Sequence, residues 1–323
     1  MKKYLITGYS GFVGRHFLDY LDRGQTHASV KGLDIQPPDF PQDGYRNIRV
    51  DFEKVDLLDQ NHIQKVLQNF QPDYILHLAS FSSVAFSWKE PIRSFQNNMN
   101  IFFNLLESVR KLNQPVRILS IGSSEEYGNV NEKDLPLTES HVPRPVNPYA
   151  VARVSQEMIS RVYVDGYGLD IVMTRSFNHI GPYQREVFVI PSFAKQLFEI
   201  RKSGRKSGEL VTGDTSIVRD FTDVRDVVVA YNLLLEKGKT GEVYNVCSGR
   251  GTSLKEIIGA MSGILDLDIH TRVDEKLVRP SDNRIIIGSN EKIRKAVGWE
   301  TTISLDQSLK DVISAWLGAN DLR

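Results

Sequence analysis

The chain has 323 residues, with Lys plus Arg and Asp plus Glu at 40 each, so its formal net charge is zero. That balance offers no global field to nucleic acid or to an anionic membrane, and no apolar run approaches the roughly 20 residues of a membrane span. The single cysteine, Cys247, excludes an intrachain disulfide and a Cys-rich zinc site; no His/Glu cluster has metal spacing, and the expected compartment is the cytoplasm.

The first apolar run, Tyr4-Leu5-Ile6-Thr7, leads directly into Gly8-Tyr9-Ser10-Gly11-Phe12-Val13-Gly14. Met1-Lys2-Lys3 before it has the look of a secretory leader, but the glycines interrupt the apolar stretch too early, and a first strand explains it better. Strand, glycine loop and helix in that order form a dinucleotide site from backbone alone. Gly8 allows the tight turn, Gly11 lets the main chain approach a pyrophosphate, and Gly14 lets the helix lie against the strand. The phosphates then meet the open N–H groups at the helix N-terminus. Asp34 closes the next apolar run, Ser29-Val30-Lys31-Gly32-Leu33. A carboxylate at that point accepts the ribose hydroxyls of NAD and repels the 2′-phosphate of NADP. The expectation is a nicotinamide-binding unit, with NAD(H) favoured and NADP(H) possible.

Strand-length apolar runs at 3–7, 28–33, 47–51, 74–78, 117–122 and 170–176 alternate with helical patterns at 12–22, 61–69, 91–113 and 149–167. Alternation of this kind implies α/β architecture, a Rossmann-type doubly wound parallel sheet, with ligands beyond the C-terminal strand ends. Asp34, Asp56-Leu57, Leu78-Ala79-Ser80, Gly122 to Tyr127 and Phe177 to Pro182 all fall at such ends. Past residue 180 the pattern is less regular. Helices are expected near 189–203, 223–236, 253–264, 289–297 and 305–317, short strands near 209–212 and 243–247, and an exposed loop from Lys202 to Gly208. Residues 1–180 read as the cofactor domain. Residues 181–323 read as a smaller α/β substrate-binding region, interleaved with returning Rossmann elements at about 209–250.

Tyr149 opens a helix after Asn147-Pro148, and Arg153 lies one turn on, on the same face. Upstream, Ile121-Gly122-Ser123-Ser124-Glu125-Glu126-Tyr127-Gly128 ends the fifth strand. With these residues the chain resembles the extended short-chain dehydrogenase/reductase family, whose site is Tyr-x-x-x-Lys with an upstream Ser or Thr. The resemblance implies that Tyr149 exchanges a proton with a sugar hydroxyl while hydride moves at nicotinamide C4, and that Ser123 holds the C4 oxygen. A phenol ionises near pH 10, so a neighbouring cation is needed to make the phenolate accessible. Arg153 stands where the family has lysine. It keeps the charge, but its planar fork does not reproduce an ammonium's contacts with the ribose, which bears on turnover and cofactor geometry. Glu125 occupies the position of the dehydratase branch's base, and it also suits substrate orientation or a solvated charge.

Other segments extend the resemblance from Lys3 to about Trp316. In Arg175-Ser176-Phe177-Asn178-His179-Ile180-Gly181-Pro182 it implies that Asn178 meets a sugar-nucleotide pyrophosphate while Phe177 and Ile180 back the nicotinamide. Arg219, in Arg219-Asp220-Phe221-Thr222-Asp223-Val224-Arg225-Asp226, and Arg279, in Arg279-Pro280-Ser281-Asp282, are the implied diphosphate ligands, since a guanidinium pairs with phosphate at two points. Ser124 and Lys195 join them as substrate candidates. Asp56 and Leu57 resemble a pair that contacts adenine, and Leu78, Ala79, Ser80 and Ile121 complete the implied cofactor set. His77 reads as a core residue, and His179 as a structural hydrogen-bonder near the nicotinamide. Ile101-Phe102 departs from the Gly-Thr of many relatives.

Within the family the wording is similar to that of GDP-6-deoxy-4-keto-D-mannose reductases and, next, GDP-mannose 4,6-dehydratases. The implied activity is reduction of GDP-4-keto-6-deoxy-D-mannose at C4 by NAD(P)H, giving GDP-D-rhamnose. The alternatives are a GDP-mannose or GDP-heptose 4,6-dehydratase with tightly bound NAD(P), and a non-catalytic NAD or nucleotide-sugar binder motivated by Arg153. A homodimer pairing helices 91–113 and 149–167 is also implied.

Overall fold

Buried strands and amphipathic helices alternate as the sequence requires, in a computed structural model that describes residues 1–24, 27–278 and 283–318. The first half runs β1 (Lys2–Thr7), α1 (Phe12–Arg23), β2 (Ala28–Asp34), β3 (Ile48–Lys54), α2 (Gln60–Phe70), β4 (Tyr74–His77), α3 (Val84–Lys89) and α4 (Pro91–Arg110). It continues with β5 (Arg117–Ser123), α5 (Pro148–Tyr167), β6 (Asp170–Ser176), β7 (Asn178–Ile180) and α6 (Val189–Lys202). Then come β8 (Ser207–Thr212), β9 (Val218–Asp223), α7 (Val224–Lys237), β10 (Val243–Val246), β11 (Gly251–Ser253) and α8 (Leu254–Leu265). The chain closes with β12 (Asp268–Val273), β13 (Ile285–Ile286), α9 (Glu291–Val297) and α10 (Leu305–Leu317).

Seven of these strands form a parallel sheet in the order β10-β6-β5-β4-β1-β2-β3. Successive residues of β1 point to opposite faces, yet Leu5 and Ile6 are both fully buried, so both faces are covered. Ile6 joins Phe17, Leu18 and Tyr231 under α1 and α7, while Leu5 joins Ile63, Phe102 and Leu105 under α2 and α4. The strand order reverses between β1 and β4, which opens a crevice at their C-terminal ends. A separate apolar cluster unites α6, α8 and α10 around Leu197, Ile257, Met261 and Val312.

Several elements escape sequence patterning. α3 is too short to show a helical period, β9 has only Val218 and Phe221 as apolar residues, and β12 is largely exposed. The loop expected over 202–208 shrinks to four residues, because α6 reaches Lys202 and β8 begins at Ser207. Helix α4 stops at Arg110, short of 113. No helix among the described residues is long and apolar enough to cross a membrane.

Candidate active site

A cleft of about 1600 Å³ lies over the C-terminal strand ends. Its walls bring together Gly8, Ser10, Gly11, Phe12 and Val13 from the first turn, Asp34, Asp56 and Leu57, and Leu78, Ala79 and Ser80. Ile121, Ser123, Ser124 and Glu125 enter from β5, Tyr149 and Arg153 from α5, and Phe177, Asn178 and Ile180 from the β6–β7 corner. The expected residues that it does not include are Gly14, Lys195 and Arg219, while Arg279 falls outside the described residues.

The β1 end fits a dinucleotide. Gly8 has φ +69°, and a Cβ there would stand 2.6 Å from Ala79 N, so only glycine permits the turn. At Gly14 a Cβ would collide with the Tyr9 carbonyl oxygen, which accounts for its place behind the loop, outside the cleft. Gly11 caps α1 with no side-chain hydrogen bond, leaving first-turn N–H groups open to an anion. The Asp34 carboxylate accepts from Ser10 N at 3.1 Å and from Ile35 N at 2.7 Å, and these bonds fix its direction. Ile35, Gln36, Pro37 and Asp39 line the wall beside it, and none of them carries positive charge. A free ribose suits that end better than a 2′-phosphate.

At the other end Tyr149 and Arg153 are almost wholly buried. Asn147 caps α5 by accepting Ala150 N at 2.8 Å, and Pro148 starts the helix. Arg153 Nε donates to the Tyr149 phenol oxygen at 3.1 Å, so negative charge developing there meets a fixed cation. Its Nη1 donates to Ile121 O at 2.9 Å and to Gln156 Oε1 at 2.7 Å, and its Nη2 to Ser80 Oγ. Ser123 Oγ accepts Glu125 N at 3.2 Å, which leaves its own hydrogen available to an oxygen in the cleft. Glu125 Oε2 accepts Asn147 Nδ2 at 2.8 Å.

Sequence reading missed the buried layer beneath. Glu126 Oε1 accepts Ser123 N at 2.7 Å and so shapes the turn that presents Ser123. Arg175 makes two bonds to Glu157, at 2.9 and 3.0 Å, but stays 3.9 Å from Glu126. Complete burial, with Glu157 nearby, therefore holds the Glu126 carboxyl well above its ordinary pKa. The only sequence signal was a second glutamate beside Glu125.

His77 is a core residue: its Nδ1 bonds Thr7 Oγ1 at 2.8 Å, and burial, aided by Arg153, lowers its pKa to about 3. His179 lines the cleft, stacked on Phe12, and its Nδ1 lies 3.3 Å from Phe177 O. Lys195 pairs with Glu186 at 2.8 Å on the surface. Arg219 is buried and donates to Asn283 O at 2.6 Å, while Asp220, Asp223 and Asp226 of the same segment accept backbone N–H groups and organise loops. Phe102 packs against His77, and Cys247 is buried just past β10.

Comparison with known proteins shows the family and the fold. The model of the GDP-mannose 4,6 dehydratase family matches residues 5–312. GDP-6-deoxy-D-mannose reductase of Pseudomonas aeruginosa is 32% identical over 98% of this chain and 97% of its own length. Among solved structures, RMD from Pseudomonas aeruginosa complexed with NADPH has a TM-score of 0.85 at 33% identity, covering 98% of this chain and 99% of that one. The UDP-glucose 4-epimerase of Thermotoga maritima with UDP-glucose has a TM-score of 0.86 at 29% identity, covering 98% of each chain. The chain belongs to the GDP-mannose 4,6 dehydratase family, among the extended short-chain dehydrogenases/reductases.

Proposed function

We propose that this protein is a nucleotide-sugar reductase, converting GDP-4-keto-6-deoxy-D-mannose to GDP-D-rhamnose with NAD(P)H. The observation that carries the reading is Tyr149, joined to Arg153 and facing the same cleft as Ser123 and the glycine turn. Similarity across 98% of the chain to a GDP-6-deoxy-D-mannose reductase supports the sugar and the direction of reaction. A reduced nicotinamide held in the cleft would supply the hydride for the C4 carbonyl. Tyr149 gives its phenol proton to the emerging C4 oxygen, Ser123 donates a hydrogen bond to the same oxygen, and Arg153 compensates the phenolate that remains. Gly8, Gly11 and Asp34 would hold the dinucleotide, with the uncharged wall beside Asp34 favouring NADH.

Glu125, facing the cleft two residues after Ser123, favours a second reading as a 4,6-dehydratase in which it removes a sugar proton. The division at residue 180 is supported by the separate C-terminal core, and the interleaving by β10 returning to the central sheet. Val151, Met158 and Val162 form an exposed apolar stripe on α5 beside α4, which supports a homodimer.

Purified protein given GDP-4-keto-6-deoxy-D-mannose is expected to oxidise NADH in stoichiometric yield. No oxidation with either nicotinamide, together with conversion of GDP-mannose to GDP-4-keto-6-deoxy-D-mannose and water, would replace the reductase by the dehydratase.

A further inference from the structure

All three nitrogens of the Arg153 guanidinium donate to protein acceptors: Tyr149 OH, Ile121 O, Gln156 Oε1 and Ser80 Oγ. These acceptors come from α5, the end of β5 and the loop after β4. An ammonium has one nitrogen and three hydrogens, so a lysine at this position cannot itself donate to all four. Gln156 is the most constrained of the set. It is 2% exposed, and its Nε2 is tied to Ser120 Oγ at 2.8 Å and to Ile121 O at 3.2 Å. Because arginine has no acceptor, the Gln156 oxygen is the atom that must face it. A buried amide anchored to β5 on one side thus offers its carbonyl to Arg153 on the other.

We propose that this is an arginine-adapted site in which Gln156 is a positioning residue, holding the guanidinium, with Ile121 O and Ser80 Oγ, so that Nε meets the Tyr149 phenol oxygen. Arg153 is on this view a fitted part of the machinery, not a degraded lysine. The inference deepens the reading above, since it takes Tyr149 as the proton donor. It also predicts a specific dependence. Changing the acceptor at position 156 alters the phenol through Arg153, at a residue that touches neither substrate nor the phenol itself.

The test is an ultraviolet difference titration of phenolate absorbance, each variant against the same variant carrying Tyr149→Phe. It reports Tyr149 ionisation without substrate or turnover, and NADH fluorescence confirms that each protein folds. Gln156→Glu keeps an acceptor but sets a negative charge beside the cation. The Tyr149 midpoint is expected to move up by about 1 pH unit or more. Gln156→Leu removes the acceptor, and Arg153→Lys cannot satisfy the cradle; both are expected to raise the midpoint and to lower kcat about tenfold or more. Gln156→Glu serves as the reading if Gln156→Leu does not fold. Midpoints unchanged in folded Gln156 variants, or an Arg153→Lys protein faster than the wild type, would overturn the proposal. If wild-type protein fails to oxidise NADH with the keto sugar while the midpoints move as stated, the reductase reading falls and the positioning role of Gln156 stands.

Discussion

Asn147 joins the two halves of the candidate site: its Nδ2 donates to Glu125 Oε2 at 2.8 Å, while its Oδ1 accepts Ala150 N and starts the Tyr149 helix. One side chain therefore sets both the direction of a carboxylate and the first turn that carries the phenol. Asn147→Ala removes both functions, and about 1 kcal/mol of stability should go with the cap. Asn147→Ser can still cap the helix but is too short for Glu125. The expected outcome is near wild-type thermal stability for Asn147→Ser, with turnover reduced about tenfold in both variants. Equal turnover in Asn147→Ser and the wild type would show that the Glu125 tether does not matter to the reaction.

Tyr149→Phe deletes the proposed proton donor while leaving the ring. With Arg153 and the glycine turn intact, NADH binding should stay within about threefold of wild type. Turnover should fall by about 10²–10⁴, the usual contribution of a positioned acid. Steady-state rates beside a fluorescence binding curve separate the two effects.

Asp34 lies in a wall without positive charge, so its carboxylate is expected to control the choice between dinucleotides. Asp34→Asn retains the shape and one acceptor but removes the repulsion of a 2′-phosphate. The ratio of kcat/KM for NADH over NADPH should drop at least about tenfold. Mass spectrometry of the dinucleotide that co-purifies offers an independent check, in which NADP as the main species would reverse the preference.

Glu126 gives the fold a dependence on pH. Burial raises its carboxyl pKa above the ordinary value of 4.5. Between those two values the folded state holds a proton that the unfolded chain has released, so the group's contribution is full below about pH 4.5 and is lost as pH rises through the folded pKa. Glu126→Gln stays neutral and escapes this loss. The stability of the variant relative to wild type should therefore climb from pH 5 towards alkaline pH, by at most about 1.4 kcal/mol per unit. Denaturant unfolding of the two proteins at matched pH measures the difference and cancels the opposite trend from His77. A gap that is flat with pH would show that the carboxyl titrates normally.

The apolar stripe on α5 makes the fifth prediction. Met158 and Val162 are 42% and 55% exposed, so a charge placed there can reach water in a monomer. Met158→Asp is expected to convert a dimer to monomer in sedimentation velocity without unfolding it. A wild-type protein that sediments as a monomer would remove the dimer.

Features that depend on neighbours along the chain could be read from residue order. The turn at Gly8, the acid at Asp34 and the one-turn spacing of Tyr149 and Arg153 follow from strand and helix periodicity, which acts over a few residues. Buried runs likewise announced six of the seven sheet strands before residue 180, and short Val243–Val246 was visible as a seventh apolar run. Polar β9 and exposed β12 gave no such signal, because they exist through pairing with distant strands. What surrounds each chemical group depends on contacts between distant segments. Ser80 and Ile121 reach Arg153 from 73 and 32 residues away, and Asn147 meets Glu125 across 22. Lys195 pairs with Glu186 and Arg219 donates to Asn283 O, and neither is among the residues that line the cleft. Charge and hydrogen-bonding capacity are written in each residue type; which partner uses them is fixed by the crossing of strands far apart in sequence.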